Sequence, residues 1–124
     1  MQSVLFTPVF ERHAREAGLT EDELMVIAKT LSENPLAGDM IKGTGGTRKL
    51  RFGKRGKGKS GGYRTIHYFG GEDVPVFALA LVDKGNRADL NQAERNELAR
   101  ILAEIARAYR EGVTESIIQM RSRT

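Results

Sequence analysis

From Met40 to Gly71 the chain contains no aspartate or glutamate, yet nine of its 20 lysines and arginines fall between Lys42 and Arg64. Any regular element in that stretch has to keep a face in water. Residues 47 to 52 show how: Thr47, Lys49 and Arg51 alternate with Arg48, Leu50 and Phe52, a period of two that predicts a strand with one wet, basic face. Residues 43 to 62 also hold eight of the 14 glycines, so residues 53 to 61 are expected to form a mobile loop. Outside this basic stretch 11 basic residues face 16 acidic ones, a mildly acidic body. Charge segregated in this way makes a local positive field suited to a polyanion.

The flanks carry conventional signals. Residues 3 to 6 read as a β-prone first strand. Thr7-Pro8 starts a helix that Gly18 ends, with Val9, Phe10, His13, Ala14 and Ala17 on one face. Thr20 and Glu23 form a capping box ahead of Leu24, Ile27, Ala28 and Leu31, and Asn34-Pro35 stops that second helix. Residues 63 to 69 and 74 to 82 read as two further strands. Asn91 caps a last helix with Leu98, Ile101, Leu102, Ile105 and Tyr109 as its stripe, and Gly112 ends it. The order β-α-α-β-β-β-α predicts an α+β fold: a compact antiparallel sheet with helices packed on one face and the other face open to a ligand. One domain is expected over residues 1–112, with 113–124 an unassigned tail.

Several classes of function are disfavoured. No apolar run is long enough to span a bilayer, the N-terminus has no secretion pattern, and there is no cysteine, which fits a cytoplasmic protein without membrane attachment. Gly53 to Ser60 matches the phosphate-loop pattern letter for letter, but it leads into a strand rather than a helix N-terminus. Gly56, Gly58 and Gly61 fail as a dinucleotide motif for the same reason. His13 and His67 are far apart and no metal-ligand spacing exists, so neither metal nor cofactor is expected. His13 reads as a packing histidine. His67 could stack or pack, or act as a base.

A dense set of cations is sufficient in principle to cut RNA, which supplies its own nucleophile in the ribose 2′-hydroxyl. Arginine holds a phosphate through paired planar donors. A lysine crowded by other cations loses its proton more readily and can relay one. Tyr63 and Tyr68 could stack on splayed bases.

The run Gly43-Thr44-Gly45-Gly46-Thr47-Arg48-Lys49-Leu50-Arg51, followed by Gly56-Lys57-Gly58-Lys59-Ser60-Gly61-Gly62-Tyr63-Arg64, resembles the central signature of the RelE/HigB superfamily of toxins. Lys84 with Asp89-Leu90-Asn91 resembles that family's segment before the last helix. The resemblance spans about residues 3 to 110. It implies ribosome-dependent cleavage of mRNA and a cognate antitoxin, in the HigB branch often a helix-turn-helix protein. Carried over by position, it implies Arg64 as the group that stabilises the phosphorane, Lys84 as a proton-transfer group or second phosphate contact, and Lys49 and Arg51 on flanking phosphates. RNA contacts are expected from Arg48, Lys54, Arg55, Lys57, Lys59, Tyr63, His67, Tyr68 and Arg87. Two departures stand out: Val82 replaces an aromatic residue common before the lysine, and His67-Tyr68 replaces paired tyrosines. The competing readings are a non-catalytic nucleic-acid-binding protein and a gyrase-inhibiting toxin of the ParE type.

Overall fold

The computed structural model describes residues 2–54, 58–83 and 91–111. β1 (Val4–Phe6) leads into α1 (Pro8–Ala17) and α2 (Glu21–Glu33), then β2 (Asp39–Met40), β3 (Arg48–Lys54), β4 (Gly58–Tyr68), β5 (Val76–Asp83) and α3 (Gln92–Arg110). The caps of α1 and α2 are where the sequence puts them. The Phe10 amide donates to Thr7 Oγ1 at 3.1 Å, Pro8 takes the first helical position, and Gly18 closes α1 at φ 74°. Thr20 N donates to Glu23 Oε1 at 2.9 Å and Glu23 N donates back to Thr20 Oγ1 at 3.2 Å.

The five strands form one sheet in the order β1-β5-β4-β3-β2. Its hairpin-connected strands are antiparallel, as expected, but β1 lies parallel to β5, so the sheet is mixed. A strand that opens the chain and joins its distant last strand is not tied to a hairpin, so local turn chemistry says nothing of its direction. Where β1 ends, α1 takes over the exposed edge of β5. Thr7 N donates to Ala78 O, Thr7 Oγ1 donates to Leu79 O, and Leu81 N donates to His13 Nδ1, at 3.1, 3.1 and 3.2 Å. The packing histidine is thus also an edge cap.

Helices cover both faces, a correction to the single-faced arrangement. Phe10, Ala14, Ile27 and Leu31 of α1 and α2 pack with Tyr63, Val76, Ala78 and Leu81. Leu98 and Leu102 of α3 pack with Leu5, Ile66, Phe77, Leu79 and Val82. Along β4 the two sets alternate, so they occupy opposite faces. On β5 the alternation is interrupted once. Ile66 pairs with Ala80 and His67 with Ala78, which leaves Leu79 as an extra residue, a β-bulge. Leu79 and Ala80 therefore both serve the α3 side.

Two further differences concern the basic stretch. β3 runs on to Lys54 and β4 begins at Gly58, paired as partners, so strand occupies much of the expected loop. The phosphate-loop pattern therefore leads into the strand β4, not into a helix N-terminus. β2 is a two-residue strand that no periodicity could reveal. The turn between β2 and β3 is built on two buried hydroxyls. Thr44 Oγ1 donates to Ile41 O at 2.7 Å and accepts from both the amide (3.3 Å) and the hydroxyl of Thr47.

Candidate nucleic-acid interface

β3 and β4 carry the cations. Leu50 and Phe52 pack against the α1–α2 cluster, so Lys49 and Arg51, one residue out of phase, lie on the α3 side. On β4 the same parity puts Arg64 on the face of Ile66. The register then brings the cations together: Arg51 is the direct partner of Arg64, and Lys49 that of Ile66. Opposed residues hold their Cβ atoms about 4.5–5.5 Å apart, and Lys49 stands about 7 Å along the strand from Arg51. Arg51 is exposed, while Lys49 and Arg64 are half-buried. Arg64 is opposed on its other side by Val82, next to the end of β5.

One carboxylate joins this group that the acid-free window does not include. Asp39 of β2, exposed, pairs directly with Lys49 and so shares its face. It lies one residue outside the window, and only the register places it there.

The nominated aromatic groups are not at this cluster. Tyr63 is 3% exposed and stacks on Phe52 on the α1–α2 side, with ring centroids 6.0 Å apart. Burial also pushes its phenol above its usual range. His67 is fully buried on the same side, its Nε2 3.2 Å from Pro35 O and its Nδ1 without a hydrogen-bond partner. Nε2 therefore carries the proton and donates. Burial foremost, with the nearby Arg48 charge, lowers its pKa to about 4 against the partial opposition of the Pro35 and Ala37 backbone. His67 is thus a neutral core group, not an RNA-stacking ring. Tyr68 does share the face of Arg64, but four residues along, roughly 13 Å away. There it packs against the α3 cluster and is seated so closely on Gly46 and Gly70 that a Cβ would come within 3.5 Å and 2.8 Å of it.

Arg48 points to the other face, opposite His67, and donates from Nη1 to Gly38 O at 3.2 Å, which ties down the segment after α2. Lys54 closes β3 opposite Gly58, and Lys59 follows in β4. Arg55, Lys57, Lys84 and Arg87 lie outside the described residues.

A five-stranded mixed sheet with three helices fits an α+β fold of the RelE kind. The family model for the RelE toxin of RelE/RelB toxin–antitoxin systems matches residues 2–122, and the chain belongs to that family. A cognate antitoxin is implied with it. Among the described residues, no helix is long and apolar enough to cross a membrane.

Proposed function

We propose that this chain is the toxin of a type II toxin–antitoxin system and cleaves mRNA on the ribosome as a metal-independent endoribonuclease in the cytoplasm. The observation that carries this reading is the Arg51–Arg64 cross-strand pair with Lys49 beside it on one sheet face. Two guanidiniums set side by side suit a group that gains negative charge as it reacts. In the reaction, the 2′-oxygen attacks the adjacent phosphorus and loses its proton. The phosphorane spreads its charge over oxygens held by Arg64 and Arg51. The P–O5′ bond breaks and the 5′-oxygen takes up a proton, giving a 2′,3′-cyclic phosphate and a 5′-hydroxyl. Lys49 holds a flanking phosphate, and Lys84, which follows β5 directly, is the proposed proton-transfer group.

The test is a coupled translation reaction with wild-type protein and Arg64→Ala, with RNA ends mapped. Wild type is expected to cut translated mRNA, and Arg64→Ala to lose about 100-fold or more of the rate, the scale of removing a transition-state donor. Intact transcripts with folded wild-type protein would overturn the reading. Binding that falls steeply with salt and never cuts would mark a nucleic-acid-binding module instead.

A further inference from the structure

β2 is two residues long, and neither is buried: Asp39 is exposed and Met40 is 59% exposed. Packing of its own side chains gives no reason for this strand, yet it is anchored at both ends. Before it, Arg48 Nη1 donates to Gly38 O and His67 Nε2 to Pro35 O, each at 3.2 Å. After it, Ile41 is 4% exposed in the cluster under α3, its amide donating to Thr47 O at 2.9 Å and its carbonyl accepting from Thr44 Oγ1 at 2.7 Å. Gly38 lies so near β3 that a Cβ would fall 2.2 Å from Lys49 O. What these anchors deliver to the surface is the Asp39 carboxylate, fixed in register with Lys49.

Asp39 is the only acidic residue in the sequence of β2, β3 and β4, and it meets the cations at one end. Its Cβ stands about 4.5–5.5 Å from that of Lys49 and on a diagonal of about 7–8 Å from Arg51, while Arg64 lies two strands away, at about 10 Å or more. The three cations are therefore unequal. A phosphate drawn to Lys49 meets the carboxylate at about 6 Å, where two negative charges in water repel enough to weaken the contact about threefold. A phosphate between Arg51 and Arg64 has two guanidiniums, and it lies at or beyond the screening length of about 8 Å from Asp39.

We propose that Asp39 is a specificity-determining residue of the RNA face. Its carboxylate ends the cationic track on the β2 side, subordinates Lys49 to the arginine pair, and so keeps the reacting phosphate over Arg51 and Arg64. This assignment rests on the nuclease reading for the reaction that the track serves, but not for the boundary itself. The long anchoring of so short a strand then has a purpose: a carboxylate that drifted toward Arg51 would compete for the phosphate, and one that drifted away would leave Lys49 a rival site.

The probe is a short 2′-O-methylated oligouridylate, whose blocked 2′-oxygens prevent cutting. Its binding is measured by calorimetry over a salt series, and its position by residue-resolved amide shifts of the full chain. Asp39→Asn and Asp39→Ser remove the charge, Asp39→Glu keeps it, and Glu16→Gln removes an exposed charge from α1, on the other side of the sheet. Asp39→Asn and Asp39→Ser are expected to bind about threefold tighter at low salt, with the gain vanishing near 1 M salt, roughly where screening acts within 3 Å. Asp39→Glu and Glu16→Gln should bind as wild type does. Wild-type shifts should centre on Arg51 and Arg64 and spread to Lys49 and Met40 only when the charge at position 39 is gone. Equal or weaker binding by both neutral variants, an equal gain in Glu16→Gln, a gain without new shifts at Lys49 and Met40, or no binding by any of the proteins would overturn the proposal. Cleavage of translated mRNA, measured separately, keeps the two ideas apart: cutting without the affinity gain removes the boundary alone, and the gain with intact transcripts removes the nuclease alone.

Discussion

Arg51 and Arg64 oppose each other across the β3–β4 ladder, two like charges at a position where opposite charges would stabilise the sheet. Arg51→Thr, which keeps β propensity, is therefore expected to stabilise the free protein by about 0.2–1 kcal/mol. That is a rise of roughly 1–4 °C in Tm for a chain of this size. The gain should shrink as salt screens the repulsion, while RNA cleavage falls. Thermal unfolding at low and high salt, beside a cleavage assay, checks this. A lower Tm would show the pair to be structural.

Stability should fall below neutral pH because of His67. Its pKa drops from 6.5 to about 4 on folding, so above pH 6.5 both states leave it neutral. Between pH 6.5 and about 4 the unfolded chain takes up a proton that the folded chain refuses, and stability is lost as pH falls. The full loss is on the order of 3 kcal/mol. His67→Gln, which can still donate to Pro35 O, is expected to flatten this part of the profile in denaturant titrations. An unchanged slope would assign it to other groups.

Thr44 is the hub of the β2–β3 turn and is wholly buried. Thr44→Val keeps the shape and removes one donor and one acceptor, leaving Thr47 N–H and Ile41 O short of a partner. The expected cost is about 1–3 kcal/mol. Thr44→Ser should recover most of it. Urea midpoints for the pair of variants decide the matter, and equal midpoints would contradict the hub role.

Gly38 has φ 92° and no room for a Cβ beside Lys49 O. Gly38→Ala should cost more than about 1 kcal/mol and push Lys49 out of line. Loss of RNA affinity beyond that of a comparably destabilised core variant, measured well below the unfolding temperature, is the expected signature.

The helices and their caps were legible because their signals are local: Thr7-Pro8, Thr20 with Glu23, and Gly18 each act within a turn. The shared side of Lys49 and Arg51 was likewise visible from strand periodicity. What the chain does not display locally is register and layering. The stripe on α3 says that one side is buried but not which sheet face buries it. Tyr63 and His67 look like surface aromatics on a basic strand, yet their odd phase turns them toward α1 and α2. Asp39 joins the cations only through its pairing with Lys49, across a turn that no hydropathy pattern records.

Leu79 splits β5 into two half-strands that are out of step with each other. Val76 to Ala78 obey one inside–outside rhythm, and Ala80 to Val82 the opposite one. Removing Leu79 would close the ladder without moving a partner: His67 would keep Ala78, Ile66 Ala80, Thr65 Leu81 and Arg64 Val82. The loss would be one aliphatic side chain from the layer beneath α3, together with the local bend that an extra residue imposes. Chemistry at this point is thus under tighter constraint than length: a polar side chain at position 79 would be buried in that layer, whereas a missing residue leaves the cationic end of the sheet paired as before.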